Sequence, residues 1–152
     1  MNRKWIVAIA TMFSFSALVA GLSIAMADDE GPVHDVMEKI NSKSNAIKKA
    51  IRAEPGYKKA KKELPTLVKD LVQLSKDTKE LAKDAVKKAK NVKDAEQQWA
   101  DLSDALTKEL EKFDAKVNDS KSEYKDIKSA YGPVSQSCTK CHDVFRVEEN
   151  GF

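Results

Sequence analysis

Cysteine is nearly absent from this 152-residue chain, with Cys138 and Cys141 the only two. That scarcity excludes a scaffold built on several disulfides, and no other thiol competes for either residue. Histidine is equally sparse, since His34 and His142 are the only ones. A zinc site needs about four ligands; beyond Cys138, Cys141 and His142 only His34 could contribute a further imidazole, and adjacent Cys141 and His142 would point to different sides of one tetrahedron. No alternating strand pattern, internal repeat, Gly-rich phosphate loop or Ser/His/Asp arrangement is present. Beyond residue 27 no stretch is apolar enough to span a bilayer.

What the chain does have is its scarce residues side by side. Cys138-Thr139-Lys140-Cys141-His142 is the acceptor pattern for covalent c-type haem, one haem c and its iron per chain. The two thiols form thioethers with the haem vinyl groups, and the adjacent imidazole reaches the iron as proximal ligand. A structural disulfide does not require the histidine, and a thioredoxin-like pair would sit in a βαβ context that this sequence lacks.

The first residues read as an export signal. Arg3 and Lys4 precede an uncharged, mostly apolar stretch, and Ala25-Met26-Ala27 fits a small-x-small cleavage site. Residues 1–27 are thus expected to be a cleaved signal peptide, and 28–152 one mature domain in the periplasm or another extracytoplasmic compartment. The alternative is a retained anchor, because residues 5–27 are long enough to cross a bilayer of about 30 Å. Cleavage removes two cations and lowers the formal charge from +3 to +1. The basic precursor is then no argument for nucleic acid.

The mature chain is expected to be all-α. Apolar positions recur at helical spacing in four stripes. The first runs from Val33 through Met37, Ile40 and Ile47 to Ile51, closed by Glu54-Pro55-Gly56. The second, opening near Pro65, extends from Leu64 through Leu81 to Ala89. A third runs from Ala95 through Trp99, Leu106 and Phe113 to Val117. The fourth starts near Ser120, with a kink or restart expected at Gly132-Pro133. Short connections favour an antiparallel four-helix bundle. A charged coiled coil has similar periodicity, but the prolines and loops argue against one long rod. The lysine pairs read most simply as solvated faces.

At about 100° per residue, Cys138, Cys141, His142 and Phe145 share one arc, so haem would lie on the inward face of the last helix. Phe145 can pack on the porphyrin or simply belong to the core. A sixth iron ligand must come from elsewhere. Met37 is central on the first stripe and is the only methionine after residue 27, while His34, the only other histidine, lies on its flank. The candidates are Met37, an open sixth position, and His34.

With these residues in view, the chain resembles the class II c-type cytochromes, the cytochrome c-prime group and its low-spin methionine-ligated relatives. The resemblance rests on the C-terminal Cys138-x-x-Cys141-His142-x-x-Phe145-Arg146, on Val36-Met37-Glu38-Lys39 in the first helix, and on Gln98-Trp99-Ala100 in the third. It implies a haem-enclosing antiparallel bundle, with His142 the exposed-side iron ligand and Met37 the buried one. It places Arg146 near a haem propionate, or at the surface. Five-coordinate gas-binding members usually carry a non-ligating residue where this chain has Met37. A homodimer is consistent with the resemblance.

The function expected is single-electron carriage, because histidine and methionine together fill both axial sites and raise the iron potential. The alternative is a five-coordinate haem that binds or senses nitric oxide or carbon monoxide. A third reading is a structural or sensory bundle that haem only stabilises. No distal acid/base group is visible except His34, so an enzyme is not expected. Partners would be redox proteins, steered by lysines including Lys140; membrane association would follow only from a retained leader.

Overall fold

A computed structural model describes residues 31–89 and 92–146. The expected leader and its cleavage site lie outside the described residues. Within them the chain is helical, with no strand: α1 (Pro32–Ala50), α2 (Glu54–Ala60), α3 (Leu64–Glu80), α4 (Ala82–Ala85), a 3-10 turn (Val86–Lys88), α5 (Ala95–Asn118) and α6 (Tyr124–Phe145). The four long helices are the expected bundle. Neighbours α1/α3, α3/α5 and α5/α6 pack closely, whereas α1 and α6 share few close backbone approaches.

Proline sets several starts. Pro32, Pro55 and Pro65 each occupy a first-turn position, where the missing N–H has no intrahelical partner to lose. The Glu54-Pro55-Gly56 run, expected only to end α1, also opens α2. Gly56 allows a close approach there: a Cβ would stand 3.1 Å from the Ala50 carbonyl oxygen. α2 then buries Tyr57, whose ring lies 5.8 Å from that of Tyr124 at the start of α6.

Three further expectations are corrected. The second stripe does not continue as one helix to Ala89. It breaks at Leu81, because the Thr78 carbonyl accepts the Trp99 indole N–H (2.7 Å) and the Leu81 amide, which ends the regular ladder. The fourth helix begins at Tyr124 rather than near Ser120. There a capping box between Glu123 and Asp126 satisfies backbone donors. Gly132-Pro133 neither restarts nor divides α6, which runs through Pro133 as one helix. Tyr131 and Val134, buried on either side of the proline, hold the two segments against the core despite the lost ladder bond.

The core is most tightly closed where α1, α3, α5 and α6 bring together Ile47, Leu64, Val68, Leu110, Phe113 and Ile127, all essentially inaccessible. Phe113 meets Tyr131 edge-on, with ring centroids 5.3 Å apart. Toward the start of α1 and the end of α6 the interior changes character. Its buried members there include Ser75, Thr78, Ser103 and Ser137 beside Trp99 and Leu106.

Candidate haem site

One hydrogen bond sets the relative height of the two helices that carry the candidate iron ligands. The hydroxyls of Ser44 on α1 and Tyr131 on α6 lie 2.7 Å apart in the interior. Burial raises the Tyr131 pKa, so its hydroxyl stays protonated. A second tie, Tyr124 Oη donating to the Arg52 carbonyl at 3.1 Å, shows that the helices run antiparallel. Met37 lies two turns before Ser44, and Cys138 two turns after Tyr131. Moving about 10.5 Å from the pin in the same direction along both helices therefore reaches Met37 on one side and Cys138 on the other. Both side chains are half-buried and pack against the same hydrophobic core.

Cys138 and Cys141 are free, half-buried thiols. Burial pushes both pKa values up, that of Cys141 to about 11 with a further contribution from neighbouring Cys138. Both therefore remain thiols at neutral pH, the opposite of a thiolate metal centre. No group of three or more His, Cys, Asp or Glu among the described residues could hold a metal ion, which disposes of the zinc alternative there. Neither cysteine is paired with the other, as a structural disulfide would require.

His142 reaches solvent on one side. Partial burial and then the Arg146 charge lower its pKa, while Asp143 raises it. The net effect favours the neutral imidazole, the form that can ligate iron. The Lys48 ammonium acts on both Cys138 and His142, an influence that helical spacing on α1 did not suggest. Phe145 turns inward and meets Trp99 edge-on, with centroids 5.1 Å apart at 84°. Trp99 is itself held by its bond to the Thr78 carbonyl. Arg146 follows the last turn of α6 and is exposed. His34 is exposed one turn before Met37.

The structure thus brings Met37 level with Cys138, and Trp99 against the end of the motif. The Ser44–Tyr131 pin was not foreseen. Its signal was a serine inside an apolar stripe, which burial tolerates only with a partner. The donor set suits haem c: two accessible thiols one turn apart, a neutral imidazole beside them, a thioether across the bundle and aromatic side walls.

An all-α bundle with this set on its last helix defines a four-helix-bundle haem c protein. The sequence model described as Cytochrome C' matches residues 33–146, and the chain belongs to that family. Its members carry covalently attached haem c with iron and are generally haem carriers or binders rather than enzymes. No curated protein and no solved structure matches the chain significantly. No helix among the described residues is long and apolar enough to cross a membrane.

Proposed function

We propose that the protein is a periplasmic single-electron carrier, cleaved after Ala27, with redox proteins as its partners. In this reading Cys138 and Cys141 hold the haem through thioethers, His142 is the proximal iron ligand and Met37 the distal one. The observation that carries it is the shared height of Met37 and Cys138, both packed against one core on facing helices pinned by Ser44 and Tyr131. His34 is the weaker distal candidate because it is exposed a turn further out.

Bound haem c supplies a one-electron iron couple. The chain's part would be to present His142 and Met37 to the iron and hold them there. His142 offers a neutral ring nitrogen, favoured by partial burial and by Arg146. Met37 offers an uncharged thioether from a rigid helix, a ligand that raises the potential. Trp99 and Phe145, locked edge to face, shield the motif from the interior side. Held in this way, the two side chains would let an electron pass with little rearrangement and would exclude a gas from the iron.

Reduced protein mixed with carbon monoxide tests this. The expected outcome is slow, weak binding by the wild type and rapid binding by Met37→Ala, whose oxidised form should become high-spin. Tight, rapid binding by the wild type would replace the electron carrier by the gas-binding alternative. An unchanged Met37→Ala spectrum would move the distal role to His34.

A further inference from the structure

The end of the bundle opposite the haem motif is rich in cations. Residues 49–63 hold six cations and two carboxylates. Lys49 and Arg52 lie at the end of α1, Lys58 and Lys59 on α2, and Lys61 and Lys62 in the turn that follows. By contrast, residues 92–107, at the haem end of α5, hold one cation and four carboxylates.

Some lysines elsewhere are paired across or along helices, as in Lys43–Asp70, Lys76–Glu111, Lys79–Asp104 and Lys112–Glu109, while others, such as Lys39, Lys69 and Lys108, are not, among the described residues. At the basic end, among the described residues, Lys58 alone of the six is in an ion pair, with Glu54. The nearest carboxylates on the facing turn are occupied otherwise. Glu123 and Asp126 cap α6, and Asp119 accepts from the Lys121 amide and the Ser122 hydroxyl. Between α2 and the start of α6 a cleft of about 500 Å³ is lined by four lysines, Lys58, Lys61, Lys121 and Lys125, against two carboxylates, Glu54 and Glu123.

We propose that this pole is a docking surface for a membrane of anionic phospholipids. A specific protein partner would be expected to find an apolar or aromatic anchor to bury. The pole offers none: Tyr57 is already buried, the Tyr124 hydroxyl is bound to the Arg52 carbonyl, and the single large exposed hydrophobic residue among those described, Val144, lies at the other end. Cations spread around the end of a bundle, without such an anchor, match a broad anionic headgroup surface, which attracts by charge alone. Docking there also keeps the haem end free. Tyr124 and Cys138 are separated along α6 by about 21 Å, so a partner can reach the motif while the opposite pole rests on lipid. This association needs no retained leader.

The test uses mature holoprotein and sedimented vesicles, either phosphatidylcholine alone or phosphatidylcholine with phosphatidylglycerol. Binding is expected only to the anionic vesicles, with loss near 1 M salt, where the Debye length falls to about 3 Å. The quadruple variant Lys59→Gln, Lys61→Gln, Lys121→Gln, Lys125→Gln should bind up to about a thousandfold more weakly. Its charge-matched control, Lys39→Gln, Lys83→Gln, Lys93→Gln, Lys108→Gln, should retain most binding. Slowed amide exchange at 54–63 on vesicles, with 138–146 unaffected, would locate the contact. Equal binding to neutral vesicles, equal loss in the control variant, or binding to polyglutamate without binding to anionic vesicles would each overturn the proposal.

Discussion

The two halves of the bundle solve different problems with the same four helices. Away from the motif, Phe113, Ile47, Leu64, Leu110, Ile127 and Val68 fill the interior completely. Around the motif, hydroxyl residues replace large apolar ones and bond to their own or neighbouring helices. Ser75 donates to the Val72 carbonyl at 2.7 Å, Thr107 to the Ser75 hydroxyl at 2.9 Å, and Thr78 to the Ser75 carbonyl at 2.6 Å. The first half is built for cohesion. The second holds Met37, Cys138, Trp99 and Phe145 in place without a continuous apolar filling, so local order there comes from directed bonds as much as from burial. Ser44 and Tyr131 stand at the boundary and transmit the register of the closed half to the candidate haem site.

The comparison can be broken most severely through His142→Ala. This substitution acts on the motif half alone and should remove most of the haem, measured as haem absorbance per protein, while circular dichroism remains strongly helical. A largely unfolded product would mean that the closed half cannot hold the bundle by itself. Phe113→Ala is the converse experiment. Loss of a fully buried ring should cost about 3–5 kcal/mol in denaturant unfolding and leave the haem spectrum of the folded protein unchanged; a changed spectrum would show that the halves are not separable. Tyr131→Phe is the finest cut. It leaves the Ser44 hydroxyl buried without its partner, at a cost of about 1–3 kcal/mol. It should also loosen α1 against α6, so reduced protein should bind carbon monoxide faster than the wild type but more slowly than Met37→Ala. An unchanged rate would separate the pin from Met37 positioning.

Much of the motif half was legible in the sequence because its chemistry is local. Cys138, Cys141 and His142 lie within five positions, and Met37 is marked by being the only methionine after residue 27. The stripes of α1, α3, α5 and α6 were equally readable, since one turn of helix places apolar residues on one face wherever the helix later packs. The errors fell where a distant group decides. The second stripe carries no internal sign that Trp99, twenty-one residues on, claims the Thr78 carbonyl and ends the helix. Pro133 reads as a break until Tyr131 and Val134 are seen buried on either side of it.

Sequence by itself determined the helical class and singled out the candidate haem-attachment residues and the candidate distal ligand, because each depends on spacing of a few residues along one chain segment. Tertiary structure alone decided which turns of α1 and α6 face each other and where α3 ends. It also decided that α6 passes unbroken through its proline, and that the cations of residues 49–62 come together at the end of the bundle away from Cys138. These are properties of juxtaposition. A hydrogen bond such as Ser44–Tyr131 spans eighty-seven positions, and its partners become neighbours only when the antiparallel bundle closes.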